Sequence, residues 1–258
     1  MLGLKTHSKI TLVVRSEDDG IKRYVHLSTG NYNDVTARIY TDHGLFTADE
    51  RIGSDASAFF NMLTGYTEPP RLSKLVSAPR HLRKTLTFLI NRETENARAG
   101  KKAEIFAKMN SLVDEEIILA LYRASMAGVR IRLVVRGICC LRPGLPGISE
   151  NIQVRSIVGR YLEHSRIFLF HADGRQDVYL SSADWMPRNL NRRVELMFPV
   201  DDKALKQRII GTLKLQWRDN VQSRELKADG HYEKVAADGE PPVSSQEVLM
   251  SQGDHFKG

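Results

Sequence analysis

Cysteine is almost absent: the chain has two, Cys139 and Cys140, and they are neighbours. A disulfide between adjacent residues is strained, and without a CxxC spacing the pair offers no zinc framework. No apolar stretch approaches the length of a membrane span, and residues 1–20 lack the apolar block of a signal peptide. The expected compartment is therefore the cytoplasm. The phosphate-cradling patterns GxxxxGK[ST] and GxGxxG are also missing, so a nucleotide would need another kind of site.

What remains is an ordinary soluble composition with an uneven charge. Hydrophobic residues make up 41% and charged residues 27% of 258, enough for a substantial core and, by length, two modest domains. The net charge is +7, but the stretch from Arg224 onward carries four basic and seven acidic side chains, leaving +10 on the rest. A basic body suits a polyanionic partner such as a nucleotide, a nucleic acid or polyphosphate.

Two histidines stand in near-matching settings. His7-Ser8-Lys9 enters the apolar run Ile10–Val14, and His164-Ser165-Arg166 enters Ile167–Phe170. A small polar cluster follows each, Ser28-Thr29-Gly30-Asn31 and Ser181-Ser182-Ala183-Asp184, its first serine 21 and 17 residues beyond the histidine. A pattern repeated with its order kept points to an internal duplication, whose halves can face each other and bring two imidazoles to one phosphate. A neutral imidazole is nucleophilic at pH 7, and a second one opposite can protonate the departing oxygen. Lys9 and Arg166, two residues along a strand, project to the same side as their histidines and can hold the negative charge. Asn31, Ser181 and Ser182 are candidates for neutral hydrogen bonds to the same group.

Strands are predicted at 10–14 and 23–28, joined by a polar turn at Ser16–Gly20, and a helix over 54–64. Pro69-Pro70 marks the expected domain boundary. A helix over Pro79–Ala99, a strand at Glu104–Lys108, a helix over Ser111–Met126 stopped by Gly128, and a strand at Val129–Val135 follow. Further strands are read at 152–158, 166–170, 177–182 and 194–199, and a last helix over Asp202–Trp217. The class is α/β. Ala228–Gly230, Asp238–Pro242 and Ser244–Gln246 give the end a disordered look. The expected divisions are 1–72, 73–223 and a disordered tail, 224–258.

Among the remaining candidates, Tyr40 is placed to stack on a base, and Arg136 ends a strand at the edge where α/β sheets bind anions. Arg188, Arg192 and Arg193 form a basic cluster. His26, His43, His81, His171, His231 and His255 lack the repeated context and are assigned structural or surface roles.

The wording of several segments is more specific than these patterns. Lys5-Thr6-His7-Ser8-Lys9, His26-Leu27-Ser28-Thr29-Gly30-Asn31-Tyr32-Asn33 and Ala37-Arg38-Ile39-Tyr40-Thr41-Asp42 are followed by Lys108-Met109-Asn110-Ser111-Leu112-Val113-Asp114 and Val135-Arg136-Gly137-Ile138-Cys139. Tyr161-Leu162-Glu163-His164-Ser165-Arg166 and Tyr179-Leu180-Ser181-Ser182-Ala183-Asp184-Trp185-Met186 complete the order. Over residues 4–222 the chain resembles the C-terminal half of the histidine-phosphorylating polyphosphate kinases. The resemblance implies a phospholipase-D-like fold of two duplicated mixed-sheet domains, the first lacking its N-terminal part. It implies that His7 takes the terminal phosphate of ATP and passes it reversibly to polyphosphate. His164 serves as proton donor to ADP, and Tyr40, Arg136 and His164 contact the nucleotide. Magnesium comes with the nucleotide, and no residue here is assigned to a metal. Implied partners are ATP, ADP and inorganic polyphosphate, with no specific nucleic acid and no integral membrane segment. A homo-oligomer or a complementing N-terminal chain is allowed for, because the family's upstream domains and arginines are missing.

Two rivals use the same residues. A phospholipase-D-like phosphodiesterase favours an aspartate five residues after the motif base, where this chain has Val14 and His171. A non-catalytic remnant would bind polyanions through charge alone.

Overall fold

The computed structural model describes residues 4–65 and 72–253, so the Pro69-Pro70 boundary lies outside the described residues. Apolar alternation on either side of a polar turn gives the first hairpin, β2–β3, which Gly20 closes at φ +116°. The first half contains β1 (Lys5–Thr6), β2 (Lys9–Glu17), β3 (Gly20–Ser28), α1 (Asp34–Ala37), β4 (Tyr40–Thr41), β5 (Gly44–Thr47) and α2 (Glu50–Thr64). Next come β6 (Val76–Ala78), α3 (Leu82–Arg98), β7 (Glu104–Met109), α4 (Glu115–Met126), β8 (Arg130–Val135) and β9 (Ile152–Ile157). Then follow β10 (Leu162–Glu163), β11 (Arg166–Phe170), β12 (Asp177–Ser181), α5 (Pro187–Arg192), β13 (Arg193–Pro199) and α6 (Lys203–Arg218). The last described elements are β14 (Ser223–Leu226), β15 (Tyr232–Lys234) and α7 (Ser245–Gly253).

The mixed α/β class is as expected. A large sheet runs in the order β1-β13-β12-β11-β7-β8-β9-β14-β15, with β6 also on β13, beside a smaller sheet β2-β3-β5 and the two-stranded β10-β4. Because side chains alternate across a strand, β7 feeds two cores. Ile105, Ala107 and Met109 face Leu82, Leu86, Ile90, Ile117 and Leu121 of α3 and α4. Phe106 faces the other way, into a cluster with Ile210 and Leu213 of α6 and Val25, Leu27, Ile52 and Phe59 of the first half. That second core binds the halves together.

Two expectations need correction. Helix α4 begins at Glu115, not Ser111, because the preceding amides are committed elsewhere: Val113 and Asp114 donate to Trp185 O at 2.9 Å. Asp114 then caps the helix by accepting Ile117 N. The stretch from Arg224 is folded through residue 253. Strand β14 pairs with β9, and β15 folds back on β14. Its polar composition misled because the polar groups are used inside: Ser245 and Gln246 are 0% and 4% exposed and fully engaged in hydrogen bonds.

Candidate active site

The three shortest pairings set up the site. Strand β1 lies parallel to β13, with Thr6 opposite Val194, and β10 lies parallel to β4, with Glu163 opposite Thr41. After each short strand, two successive amides converge on one carbonyl of the other half. His7 N and Ser8 N donate to Val194 O at 2.8 and 3.0 Å, and His164 N and Ser165 N donate to Thr41 O at 3.2 and 2.9 Å. The residue after each accepting carbonyl is a carboxylate. His7 Nδ1 meets Glu195 Oε2 at 2.9 Å, and His164 Nδ1 meets Asp42 Oδ2 at 2.8 Å. Each imidazole thus takes both its backbone anchor and its carboxylate from the opposite half. The duplication expected from sequence is present as a crossed pair.

The polar clusters support those carboxylates. Thr29 Oγ1 donates to Asp42 Oδ1 at 2.7 Å, and Ser182 Oγ, the matching residue, donates to Glu195 Oε2. Asn189 Nδ2 donates to Glu195 Oε1 at 2.7 Å. Ser181 and Ser182 are therefore buried supports with hydroxyls turned inward, and Asn31 is exposed. None of the three is placed as a direct donor to a ligand. Because a carboxylate only accepts, both histidines carry their proton on Nδ1 and leave Nε2 as the free nitrogen.

The motif bases sit on those nitrogens. Lys9 Nζ lies 3.0 Å from His7 Nε2 and 3.2 Å from Nδ1, and an Arg166 Nη donates to His164 Nε2 at 3.1 Å. Arg166 is also gripped by Asp184 through bonds of 3.0 and 3.2 Å, and Asp184 accepts Asn110 N at 2.6 Å. Asn110 Nδ2 donates to His164 O at 3.1 Å, and Arg136 Nε donates to Asn110 Oδ1 and Glu163 O, both at 3.0 Å. Arg136 therefore belongs to the His164 station. Arg188 and Arg192 are exposed, and Arg193 is half-buried opposite Lys5.

Burial pushes the Lys9 ammonium down to about 8; Glu195 and Asp42 oppose that, and Arg166 and Arg193 add to it. These four groups come from both halves, so the two histidine stations share one electrostatic site. Burial also holds His164 below the usual histidine range, with Arg166 assisting and the Asp42 hydrogen bond opposing. Asp184 shows the reverse: burial pushes it up, but Arg166 and the Asn110 bonds hold it below the usual carboxylate range.

The Tyr40 ring packs on His164, with centroids 4.8 Å apart. It lines a cavity of about 390 Å³ with Arg38, Tyr161, Gln216, Leu249 and Met250. Of the histidines given structural roles, His26 bonds Tyr32 Oη at 2.8 Å, His171 accepts Gly174 N at 3.2 Å and His231 meets Asp229 at 3.1 Å. His43 is half-buried, with its Nδ1 shielded and without a partner, and His255 lies outside the described residues.

Sequence reasoning missed Asp42 and Glu195 as partners, yet a signal was there. Each stands 14 residues after the first serine of its cluster, Ser28 and Ser181.

Both halves of the chain are similar to known proteins. The description "Polyphosphate kinase C-terminal domain 1" matches residues 1–69, and "Polyphosphate kinase C-terminal domain 2" matches residues 75–246. The chain belongs to the polyphosphate kinase family. A polyphosphate kinase of Halalkalibacterium halodurans is 54% identical over 98% of this chain and 36% of its own length. One of Pseudomonas aeruginosa is 51% identical over 98% of this chain and 37% of its own length. The crystal structure of polyphosphate kinase from Porphyromonas gingivalis superposes with a TM-score of 0.92 at 42% identity, covering 99% of this chain and 40% of that one. The chain thus spans little more than a third of the length of the polyphosphate kinases it matches. A phosphatidylserine synthase of Haemophilus influenzae shares the fold alone, with a TM-score of 0.53 at 12% identity over 91% of this chain and 68% of that one. No helix among the described residues is long and apolar enough to cross a membrane.

Proposed function

We propose that the chain is the catalytic portion of a cytoplasmic ATP:polyphosphate phosphotransferase that works reversibly through a phosphohistidine on His7. The observation that carries this is the crossed carboxylate pairing, which gives two imidazoles with Nε2 free and a cation on each. His7 Nε2 attacks the terminal phosphorus of ATP, the bond to the bridging oxygen breaks, and ADP leaves. Glu195 takes up the positive charge that develops on the ring. Lys9 shifts from Nε2 to a phosphoryl oxygen as the P–N bond forms.

His164 is neutral at rest, because burial disfavours its charge. An arriving triphosphate reverses that balance, and with Asp42 behind it the imidazolium becomes the favoured form. Arg166 gives up its bond to Nε2 without leaving Asp184, and His164 hands its Nε2 proton to the leaving oxygen. Tyr40, packed against His164, and Arg136 hold the nucleotide. Magnesium enters with ATP as part of the substrate. Asp42, Glu195 and Asp184 are all engaged by histidine or arginine, so no step uses a metal held by this chain. Transfer of the phosphate from His7 to a polyphosphate end completes the cycle.

A complementing upstream segment is part of the proposal. Strand β11 has β7 on its outer edge, whereas β2, its counterpart, has no strand on its outer edge among the described residues. Phe170 is fully buried, while its counterpart Val13 is 47% exposed and Phe46 on the same sheet is 82% exposed. A strand and helix added to that sheet would cover both.

Intact-mass and acid-lability measurements after incubation with magnesium-ATP test the assignment. One acid-labile phosphate, absent from His7→Ala, is expected, and adding the upstream region as a separate chain should raise the yield. Phosphate on His164 in place of His7 would overturn the division of roles. Hydrolysis of a phosphodiester without ATP would favour the phosphodiesterase. Polyanion binding unchanged by His7→Ala, with no ATP consumed under either condition, would favour a non-catalytic binder.

A further inference from the structure

Glu163, the residue before His164, is 2% exposed and carries a full set of partners. Its Oε2 accepts Lys108 Nζ at 2.6 Å, Gln216 Nε2 at 2.8 Å and Thr41 Oγ1 at 3.0 Å. Its Oε1 accepts Gln246 Nε2 at 2.8 Å. Gln246 does more than complete that shell. The same Nε2 donates to Tyr161 O at 2.8 Å, and its Oε1 accepts Tyr161 N at 3.0 Å. The primary amide therefore pairs with the Tyr161 backbone as a neighbouring strand would. It clamps both sides of β10, whose other edge lies on β4 next to Asp42.

Helix α7, which carries Gln246, is itself fixed. Asp219 is buried at the end of α6, and its Oδ2 accepts Ser245 N at 2.8 Å and Ser245 Oγ at 2.7 Å. A continuous chain of bonds thus runs from α6 through Asp219, Ser245 and Gln246 to Tyr161 and Glu163, and ends one residue before His164. Strand β10 is only two residues long, with a single partner strand. Asn110 Nδ2 on His164 O and Arg136 Nε on Glu163 O tie the same backbone from the ends of β7 and β8, and Gln246 is the tie on the edge of β10 that has no partner strand.

From this geometry we propose that Gln246 is a positioning residue for the phosphoryl-transfer step, holding His164 in register with Asp42 through Glu163 and Tyr161. The inference rests on the kinase assignment above. Gln246 borders the cavity that Tyr40 lines, but its side-chain polar atoms are committed to Glu163 and Tyr161. Its effect is on the chemical step and not on nucleotide affinity, because misplacing a catalytic group by about 1 Å costs on the order of a hundredfold in rate.

The test uses the whole chain, with Gln246→Leu and Gln246→Glu beside Ser251→Ala, an exposed hydroxyl of the same helix that bonds only Val248 O. The first readout is the His164 titration followed by histidine-ring NMR, which needs no turnover. The groups facing that ring are Asp42, Arg166 and Lys9. Loosening β10 lets water reach the ring, so in both Gln246 variants its midpoint should rise toward the ordinary histidine value, and Ser251→Ala should match the parent. The second readout is the single-turnover rate of His7 phosphorylation. It should fall about tenfold to a hundredfold, with the half-saturating ATP concentration changed less than about twofold. A folded Gln246→Leu protein with an unmoved His164 midpoint overturns the proposal, as does a loss confined to ATP affinity. If the parent takes no phosphate even with the upstream region supplied while the midpoint moves in the variants, the kinase assignment fails and the positioning role stands.

Discussion

Glu195→Gln isolates the role of the crossed carboxylate on His7. The wild-type group is fully buried and meets donors on every side: His7 Nδ1 at 2.9 Å, Asn189 Nδ2 at 2.7 Å and Ser182 Oγ. A glutamine in the same place must choose an orientation. With its oxygen toward His7, its NH2 points at the NH2 of Asn189, donor against donor in a dry site. With its oxygen toward Asn189, its NH2 points at His7 and Ser182. Ser182 adapts, because its hydroxyl can turn toward Leu196 O, 3.4 Å away. His7 adapts only by moving its proton to Nε2, so that Nδ1 accepts.

The second orientation blocks the attacking nitrogen, whereas the first requires the Asn189 amide to turn over and present its unpartnered Oδ1. A hydrogen bond to a charged group contributes about 1.5–3 kcal/mol. Inverting it shifts the tautomer ratio by roughly ten- to 150-fold, which sets the expected loss in phosphorylation rate. An upper limit of about 10⁴-fold applies where a whole triad depends on the tautomer. Nitrogen–proton correlation spectra of the His7 ring should show the proton on Nε2, and mass spectrometry should show the slowed phosphorylation. A variant that keeps the Nδ1–H form and phosphorylates as fast as the parent refutes the reasoning.

Lys9 should impose an alkaline limit: the ammonium loses its proton near pH 8, so phosphorylation should weaken between pH 7 and 9. Lys9→Arg keeps its charge and should flatten that limb; a flat parent profile would remove Lys9 from phosphate binding. His43 should impose an acid limit on stability. Burial depresses its folded value to about 4, and the unfolded value is about 6.5. Between those values the unfolded chain binds the extra proton, so stability is complete above about pH 6.5 and is lost as pH falls toward 4. By pH 5 the loss is about 2 kcal/mol. His43→Phe should shrink the gap between urea midpoints at pH 7 and pH 5, and an unchanged gap would put the loss elsewhere. Asp184→Asn strands the buried Arg166 charge and should cost about 3–5 kcal/mol in urea unfolding; a loss under about 1 kcal/mol would mean that water reaches the pair.

The long elements were legible because their periodicity is local. Leu82, Leu86, Leu89 and Ile90 recur at helical spacing and do face one core. Both histidines and both motif bases were legible for a different reason, the repeat. What stayed hidden has no local pattern. Strands β1, β4 and β10 are two residues each, too short for alternation to register, yet they carry the crossing. Helix α7 was hidden by composition. Ser244, Ser245 and Gln246 look like linker residues, and only the buried acceptors Asp219 and Glu163, distant in sequence, turn them into structure.

The two stations are copies, but one difference separates them and bears on which imidazole takes the phosphate. Three residues beyond the first serine of each cluster stand Asn31 and Asp184. Asp184 is 7% exposed and grips Arg166 through two bonds, so the guanidinium at His164 is fixed by a carboxylate of its own half. Asn31 is exposed and leaves Lys9 without such a partner. Burial brings the Lys9 ammonium down to about 8, with Arg166 and Arg193 assisting and Glu195 and Asp42 opposing. A single rotatable ammonium held by no carboxylate of its own can follow a phosphoryl group from ATP to the ring nitrogen. A bidentate guanidinium cannot, and is better suited to keep its imidazole in place. The copy that lacks an anchoring carboxylate is thus the better equipped acceptor, which supports the proposal that His7 and not His164 takes the phosphate.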